Sequence, residues 1–233
     1  MYLFLAEDLV ENPTNPKDTF YEGIYQLVPA SYFYIGKNSQ QPLVKKYWEI
    51  SISEEKSKLT FDESVTQFQD LFNKAVASRT IADVTVGCSL SGGLDSSSIV
   101  ASIAQKNTSI PTFSARFDDF KKDEGAHIEL VSNQFQTKQH DKWITSSDFE
   151  EQFDRLLYHQ DEPFQSGSIF AQYCVYETAK NAGVKVVIDG QGADELLGGY
   201  DKDFAVYARE LQINNKAFQQ FVAQIEAHHG TTI

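Results

Sequence analysis

The sequence predicts an α/β protein: a three-layer α/β/α sandwich around a parallel sheet. Three observations carry that expectation. Short apolar runs alternate with amphipathic helical stretches from Thr60 to Tyr200, which places crossover helices on both faces of a parallel sheet. Two of the runs end in glycine-rich turns bearing acids, at the place where such sheets bind ligands. Hydrophobic residues make up 41% of the 233, enough to bury one core or one and a fraction.

Residues 1–50 hold Pro13, Pro16, Pro29 and Pro42 and no sustained helical period, so they read as strands, turns and an arm. Thr60-Phe61-Asp62-Glu63 is a capping-box pattern. Phe61, Val65, Phe68, Leu71, Phe72, Ala75 and Val76 follow at helical spacing, for a helix of about four turns. Val84–Leu90 is an apolar strand, Ser91–Asp95 a glycine loop, and Ser96 opens a helix with Ile99, Val100, Ile103 and Ala104 on one face. Thr112–Phe117 is the next strand, followed by a helix opened by Asp123 with Ile128, Val131 and Phe135 inward, and a strand over Gln139–Ile144. Ser147-Asp148-Phe149-Glu150 is a second capping-box pattern, starting a helix through Phe153, Leu156 and Leu157. A further helix aligns Ile169, Tyr173, Tyr176 and Ala179. Gly183 ends it, and Val184–Asp189 is the last strand. Past Tyr200 the chain is polar helix with partial apolar faces at Phe204, Tyr207 and Leu211, then at Phe218, Phe221, Val222 and Ile225.

The formal charge is −13, which speaks against a nucleic-acid partner, since phosphates are met by a basic face. No run approaches eighteen apolar residues, and Met1–Ala6 is too short and lacks the basic flank of a signal peptide, so a soluble cytoplasmic protein is expected, with no membrane partner. Cys88 and Cys174 form no Cys-x-x-Cys pair and read as core residues. His127, His140, His159, His228 and His229 have no metal-ligand spacing and read as surface or capping residues. Lys121-Lys122 beside Asp118-Asp119 reads as a solvated loop, one able to close over a nucleotide.

Ser91-Gly92-Gly93-Leu94-Asp95-Ser96-Ser97 lies between a strand and a helix. Successive glycines let the backbone turn and approach an anion without Cβ obstruction, so that N–H groups and the helix N-terminus point at phosphate. The bland alternative is a simple turn. No Gly-Lys-Ser/Thr follows and no Gly-x-Gly-x-x-Gly is present, which excludes the P-loop and dinucleotide patterns. Asp189-Gly190-Gln191-Gly192-Ala193-Asp194-Glu195 repeats the design after the last strand. An acid at Asp194 facing Asp95 could hold Mg²⁺, which takes one or two carboxylates plus phosphates and keeps several waters. The alternatives there are a solvated acidic turn, or acids favouring a helix N-terminus.

The first loop resembles the Ser-Gly-Gly-x-Asp-Ser signature of the PP-loop ATP-pyrophosphatase group, and Asp189 to Tyr200 resembles the equivalent stretch of the class B, glutamine-hydrolysing asparagine synthetases. Asp161-Glu162-Pro163-Phe164 and the tract from Asp123-Glu124 are similar to family segments as well. Phe20–Ala30 and Lys46-Tyr47-Trp48 look like the tail of the family's glutaminase domain and the connector. The resemblance therefore implies a glutaminase tail over residues 1–50 and a synthetase domain over 51–233, truncated at its C-terminus, with the Rossmann-like fold of the adenine nucleotide α-hydrolase kind. It covers Thr19 to Tyr200. The family's glutaminase uses an N-terminal cysteine, and residue 2 is Tyr2, so glutamine is not expected to supply ammonia here.

By resemblance the ligands are ATP and Mg²⁺, with aspartate and ammonia as small-molecule substrates. Aspartate would be adenylated to β-aspartyl-AMP with release of pyrophosphate, then captured by ammonia. Leu90 and Ala115 would line the adenosine pocket; Ser91, Gly92, Gly93, Leu94, Ser96 and Ser97 would hold ATP and its pyrophosphate. Asp189 and Gly190 would contact nucleotide through the backbone, and Asp95 and Asp194 would carry the metal. Many members have a glutamate where this chain has Gln191, and a glutamine cannot take a proton at neutral pH. Gln191 would then orient a reactant by hydrogen bonding, or Asp189 would supply the charge. Other PP-loop adenylating enzymes, such as a β-lactam synthetase-like ligase, and a non-catalytic nucleotide-binding fragment are the alternatives. Because helices that close the family's site would follow Ile233, the 233-residue chain is expected to make little asparagine and to self-associate through Phe218, Phe221 and Ile225 as a homo-oligomer.

Overall fold

The computed structural model describes residues 4–5, 12–37, 42–51, 58–105, 109–118, 123–211, 216 and 218–223, the side chains of 201, 202 and 205 apart. The expectations on Met1–Leu3, Asp119, Lys121, Lys122, Ile225, His228 and His229 lie outside the described residues. Packing divides the chain into two units. One comprises Met1–Ile81, Ala115–Asp123 and Asp141–Gly183, the other Ala82–Ser114, Glu124–His140 and Val184–Ile233.

The fold is α/β. Strands β1 (Ser31–Tyr34) and β2 (Leu43–Lys46) form an antiparallel hairpin. Strands β3 (Val86–Ser89), β4 (Pro111–Phe117), β5 (Lys138–Ile144) and β6 (Val186–Ile188) form a four-stranded sheet in the order β5-β4-β3-β6. Helices α1 (Phe61–Arg79), α2 (Leu94–Ala104), α3 (Gly125–Phe135), α4 (Ser146–Gln160), α5 (Ser168–Asn181), α6 (Ala193–Leu197) and α7 (Asp201–Leu211) accompany the strands. Strand β3 is parallel to both neighbours, with Cys88 opposite Thr112 on one side and Ile188 on the other.

In the second unit, Cys88, Leu90, Val100, Phe113 and Ile128 are each no more than 1% exposed and make the core. Gly87 is required there, because a Cβ would lie 2.7 Å from the Phe113 ring and 3.0 Å from the Pro111 carbonyl. The His140 ring stacks on Phe113, its centroid 5.1 Å away. Thr112, Thr137 and Ser132 satisfy one another's buried hydroxyls at 3.0 and 2.6 Å.

In the first unit, α4 packs on α5 around Leu156, Phe170 and Cys174, with Ile144, Phe164, Ile169 and Tyr173 against them. Arg116, 8% exposed, is held by the Asp123 carboxylate through Nε at 3.2 and 3.1 Å and reaches Asp141 at 3.4 Å. Its guanidinium also lies over the Trp143 ring, 4.6 Å from the centroid.

Several boundaries differ from expectation. Helix α2 begins at Leu94, not Ser96, because an extended Gly93 is its N-cap; Leu94 and Asp95 are therefore helical. Asp123 opens no helix: its carboxylate takes the Arg116 guanidinium and the Phe117 N–H, and Glu124 is the N-cap of α3. The capping box of α4 is Thr145 with Asp148, not Ser147 with Glu150, since the Thr145 hydroxyl accepts from the Asp148 N–H and the Asp148 carboxylate accepts from the Thr145 N–H. On α5 the buried face runs through Phe170, Cys174, Val175 and Ala179, which leaves Tyr176 outside it. Helix α1 has the expected Thr60–Glu63 box yet buries only Val76. Strand β6 is shorter than Val184–Asp189. Phe221 packs its ring within the chain, 6.3 Å from Phe204 and 5.1 Å from Tyr207.

Candidate functional site

Both glycine turns belong to the second unit, and the pairing of their strands decides how they meet. With Val86 opposite Val186 and Cys88 opposite Ile188 in parallel, the residues after Ser89 and after Ile188 leave the sheet at the same, carboxyl edge. The chain passes from β3 to β4 on one side and reaches β6 on the other, so the strand order reverses beside β3. This switch point is where open α/β sheets hold ligands.

The first loop is fixed by its own serines. The Ser91 N–H donates to Ser96 Oγ at 3.2 Å, the two hydroxyls are 3.0 Å apart, and the Gly93 N–H donates to Ser91 Oγ at 3.3 Å. Gly92 has φ +89°, and a Cβ there would lie 3.0 Å from His127 Cβ and 3.1 Å from the Glu124 carbonyl. Only glycine permits this close approach to the first turn of α3. Helix α2 starts from Gly93 with no side-chain cap, so its first N–H groups remain available to an anion. Ser97 Oγ, one turn in, is buried without a hydrogen-bond partner.

The second loop touches the first. A Cβ on Gly190 would lie 3.1 Å from Asp95 Cβ and 3.2 Å from the Ser96 N–H nitrogen. Gly192 at φ +93° and Gly198 at φ +70° bracket the short helix α6. Asp194 turns its carboxylate into this same turn, where a Cβ on Gly199 would sit 1.8 Å from Oδ1. The Tyr200 hydroxyl donates to Glu195 at 2.8 Å, and that bond raises its pKa.

The structure therefore brings Ser91, Gly92, Gly93, Asp95, Ser96, Ser97, Asp189 and Gly190 to one place. Gln191 is exposed in the turn, and Leu94 is 86% exposed. Leu90 is a core side chain, its N–H donating to the Phe113 carbonyl and its carbonyl accepting from Ser114 Oγ. Ala115 lies on β4 in the other unit. Burial, helped by the charge of Asp189, pushes the Cys88 thiol up to about 12, and burial pushes Cys174 to about 11, so neither is poised as a nucleophile. The sequence reading missed Glu124 and His127 against Gly92. Their signal is the acid pair Asp123-Glu124 preceding α3, which in sequence reads as a helix start.

An uncapped helix start, glycines that a Cβ would block and an orphaned buried hydroxyl suit the oxygens of a polyphosphate. Among the described residues no three His, Cys, Asp or Glu gather as a metal cluster. Carboxylates on the two loops nonetheless suit Mg²⁺, which draws most of its oxygen ligands from phosphates and water.

Among known proteins, the asparagine synthase family profile matches residues 67–228. A protein of Methanocaldococcus jannaschii, provisionally named asparagine synthetase 2 (glutamine-hydrolysing), is 36% identical over 159 residues, 67% of this chain and 30% of its own length. Amidase ChyE of Penicillium rubens is 29% identical over 203 residues, 78% of this chain and 30% of its own. Asparagine synthetase 1 (glutamine-hydrolysing) of Bacillus subtilis is 32% identical over 149 residues, 60% and 22%. The chain spans less than a third of the length of each of these relatives. No helix among the described residues is long and apolar enough to cross a membrane.

Proposed function

The chain belongs to the asparagine synthase family, and from that membership we propose an ATP-dependent amide-forming ligase whose nucleotide lies between the two glycine loops. Residues 51–233 then form the synthetase domain, and 1–50 the tail of a glutaminase domain with its connector.

The reaction proposed is attack of the aspartate side-chain carboxylate on the α-phosphorus of ATP. The bond to the β-phosphate breaks, pyrophosphate departs, and the carboxylate becomes an acyl-adenylate. Ammonia then attacks the acyl carbon and AMP leaves. The free N–H groups at the start of α2 and the hydroxyls of Ser91, Ser96 and Ser97 would hold the departing pyrophosphate, and Asp189 and Gly190 would meet nucleotide through their backbone. Leu90 would line the nucleoside side, and Leu94 would belong with the loop that holds the phosphates. Asp95 would hold Mg²⁺, and Asp194 would join it on turning its carboxylate away from Gly199; the ion's charge, when bound, offsets that of the phosphates. Catalysis rests mainly on positioning and on donors aimed at developing charge. Either Gln191 would orient a reactant by hydrogen bonding, or Asp189 would supply the negative charge.

The observation that supports this reading best is the contact of Gly190 with Asp95 and the Ser96 nitrogen, which joins both loops at the switch point. Calorimetry with Mg-ATP is the test: Asp95→Ala is expected to lose at least about tenfold in affinity, or 1.4 kcal/mol, because phosphate charge loses its compensation. Equal affinity of variant and parent would overturn the site. Pyrophosphate release that requires both aspartate and ammonia would then establish the acceptor. The similarity to a protein named an amidase shows only that a relative acts on an amide; with the family's ligase chemistry, the second reading is an adenylating ligase whose carboxylic acid is not aspartate. A panel of carboxylates in the same assay separates the two.

A further inference from the structure

Asp161 is the C-cap of α4 and has φ 60° and ψ −32°, in the positive-φ region that a non-glycine residue seldom occupies. Such a conformation persists where its surroundings over-determine it. Locally the Asp161 N–H donates to the Leu157 carbonyl at 3.1 Å and the Glu162 N–H to the Gln160 carbonyl at 2.7 Å. Downstream, Phe164 is anchored against the core of Leu156, Phe170 and Cys174. The remaining contacts come from far away in sequence. The Tyr21 hydroxyl donates to the Asp161 carbonyl, and the Phe20 N–H donates to the Glu162 carboxylate at 3.1 Å.

The segment that makes them is itself preorganised. Asp18 bridges to Tyr25, and the Gln26 N–H donates to the Lys17 carbonyl at 2.9 Å. The Thr19 hydroxyl donates to the Ile24 carbonyl at 2.7 Å and accepts from the Tyr21 N–H at 3.1 Å. Asn12 and Asn15 donate their side-chain amides to Asp18 at 2.8 and 2.6 Å, and the Gln26 amide reaches the Pro16 carbonyl. Consecutive residues of a rigid turn thus meet consecutive residues of a strained loop, both within one unit.

We propose that residues 12–26 act as a strap that imposes the conformation of the Asp161–Phe164 loop, with Phe20 and Tyr21 as the positioning residues and Glu162 as their acceptor. The Glu162 carboxylate is thereby committed to Phe20, while the Asp161 side chain stays exposed. Loss of the strap frees the loop and leaves the glycine loops unchanged, so this inference stands apart from the ligase reading.

Hydrogen exchange on the full chain, followed at the amides of 161–167, tests it. Tyr21→Phe is expected to speed exchange there roughly fivefold, the effect of one lost neutral hydrogen bond, with 86–104 unchanged. Glu162→Ala should do the same and Glu162→Gln, which keeps an acceptor oxygen, should restore slow exchange. In an Asp161→Gly background, where positive φ is unstrained, the Tyr21→Phe effect should shrink. Parent-like exchange in both Tyr21→Phe and Glu162→Ala would overturn the strap. So would a Tyr21→Phe effect that is undiminished by Asp161→Gly, or one spread equally over 86–104.

Discussion

Lys142 Nζ and Asp148 Oδ1 stand 2.6 Å apart, and the same carboxylate closes the capping box with Thr145. The bond from Lys142, then those from the Thr145 hydroxyl and N–H, pull the Asp148 carboxyl from 3.8 to about 2. A depressed acid contributes stability that is present above its unfolded pKa and lost as pH falls through the folded one. Asp148→Ala should therefore cost on the order of 1 kcal/mol at neutral pH, and the gap to the parent should close between pH 3.8 and 2. Urea midpoints measured along that range check it. A constant gap would mean that the carboxylate charge contributes nothing. The Lys142 pKa is raised by the same pair, so its share is present below 10.5 and fades at higher pH. None of this geometry was legible locally, because Thr145 and Ser147 are both good caps in sequence and only the fold shows which hydroxyl meets Asp148.

Elements converge at Gly190. Its missing side chain lets the β6 turn lie against Asp95 and the Ser96 nitrogen at the start of α2. Gly190→Ala should push the two loops apart by a few tenths of an ångström, weakening Mg-ATP binding on the order of tenfold while costing about 1–3 kcal/mol of stability. Isothermal calorimetry and thermal melts on one preparation measure both. A variant that binds ATP like the parent would show that the contact is packing alone. Buried Arg116 offers a second element-scale case, since it ties the end of β4 to Asp123 and to Asp141 of β5. Removing it leaves two part-buried carboxylates without their cation, and Arg116→Ala should cost roughly 1–3 kcal/mol. A loss under 1 kcal/mol in denaturant titration would refute that.

At the scale of the whole molecule, a ligand that binds only the folded chain stabilises it by mass action, about 2.7 kcal/mol at a hundred times Kd. Mg-ATP should thus raise the Tm of the parent about twice as far as that of Asp95→Ala, for which tenfold weaker binding leaves about 1.4 kcal/mol of stabilisation at the same concentration. An upshift of equal size in both would place the nucleotide elsewhere. The net charge of −13 makes the comparison sensitive to salt, because screening weakens any long-range repulsion between the protein and the nucleotide. Raising ionic strength should therefore tighten Mg-ATP binding or leave it unchanged.

Composition, the alternation of apolar runs with helical periods, and the two glycine turns of 91–95 and 189–192 are local patterns, and they were enough to determine the fold class and to point to one sheet edge as the candidate site. Side-chain spacing follows from backbone period, and glycine position from steric demand, so both can be read from neighbours in the chain. What tertiary structure alone decided is which of those residues meet. The contact of Gly190 with Asp95 depends on β6 pairing in parallel with β3, about a hundred residues earlier, and no local signal specifies that register. The same holds for Asp194, whose carboxylate turns toward Gly199, for Asp123, which meets Arg116 where a helix cap was expected, and for Asp161, held by Tyr21. A side chain's partners are set by packing between distant segments, and the sequence supplies only the chemistry those segments bring to it.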